Sequence, residues 1–318
     1  MSADYWTSTQ RKHWQFTRDS LRETRKELKL LENTMEETGL VSRVEVTYDM
    51  HMRIYIHSLV NKLGRRLNVR QFALSTAEVY LLRFLTRVSL KEVNLYLLIT
   101  TAVYLACKIE ECPQHIRTVV SEARNLWPEY IPHDATKVAE FEFYLIEELE
   151  TYLVVHHPYR SLLLINETLA EFNQKPQQIH TTTTTTTSTT TTTTSNGMTP
   201  AGPLTLSPEE LQSSWSIIND SYVCDLPLLF PPHIIATAAV YLTIVLKYNH
   251  LQYLHKEGTP TPPKTDPLNT FVQFLGFSNI DIDQVVEAVQ ELITLYEAWE
   301  SYHETSCKKP LESVLLNR

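Results

Sequence analysis

Glycine is scarce in this chain, with 6 among 318 residues, and cysteine scarcer still, with 4. Few glycines leave few sites for the left-handed turns that close β-hairpins. Period-two alternation bounded by turn residues is nearly absent as well, which argues against a sheet-based fold. The four cysteines, Cys107, Cys112, Cys224 and Cys307, show no disulfide-framework spacing, which fits a reducing compartment. An excess of positive charge is also missing: 28 Lys and Arg face 37 Asp and Glu, for a net charge of −9. Phosphate neutralisation needs clustered cations, so no direct nucleic-acid contact is expected. The N-terminal stretch MSADYWTSTQRKHW carries no apolar signal segment, and an intracellular soluble protein is expected. The uncharged run Asn94–Cys107 is shorter than the ~20 residues of a membrane span. Pro231-Pro232 breaks the second such run, Leu226–Leu246, so no membrane contact is expected.

Catalytic signatures are absent too. No Gly-rich phosphate loop, HExxH, Gly-x-Ser-x-Gly elbow, HRD or DFG occurs. Cys107, Cys112 and His115 have metal-like spacing but lack an evident fourth ligand. His156-His157 reads as a linker pair. The acids Glu142, Glu147, Glu148 and Glu150 read as a solvated helix face. No catalytic residue, metal or cofactor is therefore expected.

What the chain does have is long apolar runs at helical spacing, within a hydrophobic content of 43%. They predict an all-α protein. The segment Leu81–Glu111 holds two apolar helices, and the second is apolar almost all round until Lys108-Ile109-Glu110-Glu111. Such a helix belongs at the centre of a bundle, and its charged end must surface as a rigid tip. The pattern recurs. Ala102-Val103-Tyr104-Leu105 matches Ala239-Val240-Tyr241-Leu242, and at the same offset Val69–Leu85 lies over Leu206–Tyr222. Two tandem helical bundles follow.

The reading places an N-terminal helical arm in 1–45, a first five-helix bundle in 46–157, a second in 158–302 and a tail in 303–318. First-bundle helices are expected near 49–64, 71–87, 91–109, 114–124 and 134–151. Those of the second are expected near 159–172, 208–223, 232–248, 267–275 and 281–302. Ser89 with Glu92 and Ser207 with Glu210 have capping-box spacing, and Ser278 with Asp281 opens the last long helix. A Thr-rich insertion, 173–206, and a Pro-rich loop, 250–267, interrupt the second bundle. A β-branched homopolymer with no apolar partner builds no core, so the insertion is expected to be disordered. Deleting Thr181–Thr194 should leave the melting temperature nearly unchanged, since each doubling of loop length costs only ~0.6 kcal/mol. A large drop in a thermal scan would contradict this.

Two bundles with Lys108-Ile109-Glu110-Glu111 closing the third helix resemble the cyclin family. Met52-Arg53 is similar to the Met-Arg that opens a cyclin box. Leu82-Arg83-Phe84-Leu85 and Val103–Glu111 are similar to two further box segments. Asp4–Gln10, Trp14, Arg25–Lys29, His157–Arg160, Trp215–Tyr222 and Leu229–Pro232 resemble the cyclin C type of fungi. The resemblance implies a nuclear, non-enzymatic regulatory subunit. Its partners would be the cyclin-dependent kinase of the Mediator kinase module and other subunits of that module, in RNA polymerase II transcription. It implies kinase contacts at Lys108, Glu142 and Glu111, and a groove for a second partner at Trp215, Asn219, Asp220 and Tyr296. Tyr5, Trp6 and Trp14 on the arm are candidates for contact with the partner or with the chain's own first bundle; the expectation is Trp14 packed internally and Tyr5-Trp6 near the partner. Lys108 and Glu142 are both expected to be exposed. Alternatives are an elongation-type transcriptional cyclin, a cyclin-fold basal transcription factor, or a helical enzyme. The basal factor would bring a zinc ribbon and a basic face, and neither occurs.

Overall fold

The computed structural model describes residues 4–174, 205–256 and 267–316. The Thr tract and most of the Pro-rich loop lie outside the described residues. Among those described there are helices and no strands. A 3-10 turn, Tyr5–Thr7, and α1, Thr9–His13, precede α2, Arg18–Glu37. The first bundle is α3 Met50–Leu67, α4 Gln71–Phe84, α5 Leu95–Ile109, α6 Ile116–Leu126 and α7 Thr136–Glu148. The second is α8 Pro158–Gln174, α9 Pro208–Ser221, the single turn α10 Leu226–Leu229, α11 Pro232–Lys256, α12 Pro267–Phe277 and α13 Ile282–Glu300. A last helix, α14 Glu304–Leu316, occupies the stretch read as a tail.

The repeat holds to the residue for the starts of two helix pairs, α4 with α9 and α5 with α11. The offset that carries Ala102 to Ala239 also carries Gln71 to Pro208 and Leu95 to Pro232. In each bundle the central helix, α5 or α11, is ringed by its neighbours. Leu98, Ile99, Ala102, Val103 and Ala106 are fully buried, as are Ala236, Ala239 and Val240. The alanines among them let the surrounding helices approach closely. The buried threonines satisfy themselves locally. Thr100 and Thr101 donate to Tyr96 and Leu97 carbonyls, and Thr237 and Thr243 to those of His233 and Ala239.

Several boundaries differ from expectation by a few residues. α5 starts at Leu95, not near 91, because the Asn94 carboxamide accepts from Tyr96 N and Leu97 N. Ser89 and Glu92 instead close a separate turn, with Ser89 N donating to Glu92 Oε1. α11 continues to Lys256, beyond the expected loop start at 250. At α13 it is Asp281 that accepts from Asp283 N and Gln284 N. The Ser207–Glu210 box forms as expected, with both reciprocal bonds present. The tail becomes α14 because Cys307, Leu311 and Val314 bury one face against the first bundle.

The two bundles share a packed seam. Ile54 of α3 and Val79 and Leu82 of α4 belong to the apolar core of the second bundle. Asp225 clamps the seam from its far side. Its carboxylate takes two bonds from Arg25 of α2, 2.7 and 2.5 Å, and one from Arg53 of α3, 2.9 Å. The Arg53 guanidinium stacks 4.7 Å over Tyr48. The basic residues of α2 are therefore largely spent inside the chain, since Arg18 also pairs with Glu287 and Glu291.

Candidate partner-binding faces

Lys108 sits in the last turn of α5, where a cation complements the helix dipole. Its Nζ lies 2.6 Å from Glu142 Oε1 on α7 and 5.1 Å from the centre of the Tyr104 ring. Lys108 is exposed, as expected. Glu142 is not: only 8% of it is accessible. The reason is its register on α7, where Val138, Glu142 and Leu145 form the buried stripe against α5. The solvated acidic face thus holds at Glu147 and Glu150 but fails at Glu142. Phe143, next to it, is 75% exposed. Glu111 is exposed and left-handed, at φ 53°. It follows Glu110, the half-buried C-cap of α5. Burial pushes the Glu110 carboxyl above its ordinary value, and the hydrogen bond from Thr76 partly offsets this. The sequence placed Glu110 in the surfacing tip but not among the contact residues, and it gave Tyr104 and Phe143 no binding role; Glu110 is only half exposed. A place between the exposed Glu140 and Glu147 on one helix face was the available signal for Phe143.

The four groove residues also come together. Trp215 stacks on Tyr159 of α8, with ring centres 4.4 Å apart and planes 18° apart. Asn219 Oδ1 accepts from Tyr159 Oη at 2.7 Å. Tyr296 Oη donates to Asp220 Oδ2 at 3.0 Å. All four are half-buried, along the junction of α9 with α8 and α13. Burial raises the Asp220 carboxyl above its usual range, against the pull of Tyr296 and His57. Polar groups so placed are held rigid, with aromatic faces beside them, which suits recognition of a partner backbone or amide.

The arm splits. Trp14 is 1% exposed, beneath the guanidiniums of Arg83 and Arg87 at 5.2 and 4.9 Å. Tyr5 is not at a free end as expected. It folds back so that its hydroxyl donates to Gln15 and its ring meets His156. The aromatic contact and the turn capped by Asp4 explain this. Trp6 is 59% exposed. Gln10, buried in the seam, accepts from His156 N, and Phe16 N donates to Leu228 O.

These features have relatives. Residues 19–154 match the family described as Cyclin, N-terminal domain. An RNA polymerase II holoenzyme cyclin-like subunit of Scheffersomyces stipitis is 46% identical, across all of this chain and 99% of its own length. The chain belongs to the cyclin family. The protein of the same description in Saccharomyces cerevisiae is 44% identical over 99% of this chain and 98% of its own length. Among solved structures, a chain of the CAK complex from Chaetomium thermophilum aligns with TM-score 0.63 at 17% identity, covering 98% of this chain and 88% of that one. A chain of the yeast TFIIK complex aligns with TM-score 0.57, also at 17% identity, covering 91% and 100%. At that identity the structural likeness speaks to fold alone, and it extends through both bundles of this cyclin.

Proposed function

We propose that this cyclin is the regulatory subunit of the Mediator-associated cyclin-dependent kinase, acting in the nucleus on RNA polymerase II transcription. The full-length likeness to the holoenzyme cyclin-like subunits supports the setting. The observation that carries the kinase contact is the Lys108–Glu142 pair, held at the end of the buried α5 beside the exposed Phe143. A kinase becomes competent when its helix-αC Glu pairs with the Lys that orients ATP. An apolar ring at Phe143 and Tyr104 can pack against that helix and hold it inward. The charged tip of Lys108, Glu110 and Glu111 then sets register, since interfacial charge contributes specificity more dependably than affinity. The chain alone should transfer no phosphate. The groove of Trp215, Asn219, Asp220 and Tyr296 receives a second subunit of the module, and Trp6 reaches toward a partner.

Because Lys108 and Glu142 pair with one another, exchanging both charges would rebuild the pair. Lys108→Glu alone is the sharper test. It sets a third acid beside Glu142 and Glu111 and should weaken kinase binding by roughly tenfold, about 1.4 kcal/mol. Since Lys108 is the counter-charge of the buried Glu142, the variant should also melt below the parent, and affinity is measured at a temperature where circular dichroism shows it folded. Undiminished kinase binding, measured by pull-down and calorimetry, would remove this face from the interface.

A further inference from the structure

Four side chains from different elements form one hydrogen-bonded chain across the seam. Tyr222 Oη, at the C-terminal end of α9, lies 2.6 Å from His157 Nδ1 in the interdomain linker. His157 Nε2 lies 2.8 Å from Thr76 Oγ1 on α4. Thr76 Oγ1 in turn lies 2.6 Å from Glu110 Oε1, at the end of α5. Tyr222, His157 and Thr76 are all buried. We infer that Tyr222, His157 and Thr76 are positioning residues for Glu110, holding its carboxylate in one orientation on the charged tip of the first bundle and tying that tip to α9. The consequence for kinase binding rests on the reading of this tip as the kinase face; the hydrogen-bond chain itself does not.

The direction of every bond follows from the last acceptor. An ionised carboxylate only accepts, so the single Thr76 hydroxyl hydrogen goes to Glu110. The Thr76 oxygen must then accept from His157, which puts the ring proton on Nε2. Nδ1 is left bare and accepts from the Tyr222 hydroxyl. His157 is consequently a neutral imidazole in one tautomer. Its surroundings enforce this: burial, then the nearby Arg83 and His156, push its pKa down to about 3. The rings of Phe72, Tyr159 and Tyr222 enclose it. A second strand runs alongside. Ser75, next to Thr76, lies 2.6 Å from Tyr159 Oη, and Tyr159 donates to Asn219. Adjacent residues of α4 are thus each bound to α9, one through His157 and one through Tyr159. Pro158 fixes the backbone between those two side chains, as the first residue of α8. The pair His156-His157 is therefore not a passive linker: His157 is the middle of a relay.

Two measurements test this. Long-range nitrogen–proton spectra of the full chain with labelled imidazoles should show His157 with its proton on Nε2, unchanged between pH 5.5 and 8. A proton on Nδ1, or an imidazolium in that range, overturns the inference without reference to any kinase. The second measurement is kinase affinity for Glu110→Gln, Thr76→Val, Thr76→Ser and the Glu110→Gln/Thr76→Val double variant. Glu110→Gln and Thr76→Val should each weaken binding several-fold, and the double variant no more than either. Thr76→Ser keeps the hydroxyl and should bind like the parent. Additive losses, or parental binding by Thr76→Val beside a weakened Glu110→Gln, overturn the relay and leave the kinase face standing. Parental binding by Glu110→Gln beside a weakened Lys108→Glu overturns the positioning role alone. If neither Glu110→Gln nor Lys108→Glu weakens binding, the kinase-face reading itself falls.

Discussion

Asp225→Ala should destabilise the chain by about 3–5 kcal/mol, because it leaves a buried guanidinium without its counter-charge. Arg53 is the reason. Its side chain is 9% exposed, and Asp225 is the carboxylate 2.9 Å from it. Removing Asp225 also releases Arg25 and so loosens α2 from the second bundle. Exposed pairs such as Arg22–Asp19 should contribute well under 1 kcal/mol by comparison. Denaturant unfolding of Asp225→Ala and Asp19→Ala, side by side, checks the contrast. A loss below ~1 kcal/mol at Asp225 would mean that water replaces the carboxylate easily. The same clasp predicts a pH dependence. Burial alone would raise the Asp225 carboxyl, but Arg25 and Arg53 outweigh it and hold the group below its ordinary value. Its stabilising contribution is therefore fully present above the unfolded value of ~3.9 and is lost as pH falls below it. Asp225→Ala should flatten the acid limb of the stability curve.

Trp14→Ala should cost a further ~3–5 kcal/mol, the range for emptying a buried indole site. The ring is fully enclosed and lies under two guanidiniums, so its loss removes packing and cation–π attraction together. It also uncovers Arg83, already a strongly buried cation. Burial depresses the Arg83 guanidinium to about 10, with Tyr80 and Tyr5 opposing that shift. Trp6→Ala should change stability by no more than ~0.5 kcal/mol, as surface substitutions usually do. The two variants therefore separate the arm's roles. Trp14 packs on the first bundle, Gln10 and Tyr5 meet the linker at His156, and Trp6 stays mostly exposed beside Tyr5 and His233. Kinase affinity of Trp6→Ala, with parental stability, decides whether the arm contributes to recognition. Equal stability losses in the two variants would contradict the division.

Much of the fold was legible because it rests on local periodicity. Helical type, the tandem repeat and the Ser207 cap each depend on residues within a few positions of one another, or on a pattern that recurs at a fixed offset. The misreadings share another cause. Glu142 was assigned to solvent because three nearby acids suggested an exposed face. Its spacing from Val138 and Leu145 put it on the buried stripe, and α5 supplied Lys108 to neutralise it. Glu110 and His157 could not be paired from sequence, since Thr76 joins them from 34 and 81 residues away. Tyr5 looked like a free aromatic because its partners, Gln15 and His156, meet it only after the arm crosses the seam.

The sequence by itself determined the helices, their grouping into two bundles and the charged end of α5, because amphipathic spacing, capping side chains and helix-breaking residues act over one or two turns. Tertiary structure decided which charges are buried in pairs and which stay accessible. Lys91, Arg53, Arg25 and Lys108 are all paired within the chain, but of these Lys108 is the one exposed, beside a buried acid. That division is set by burial, and burial depends on which distant helix covers each side chain.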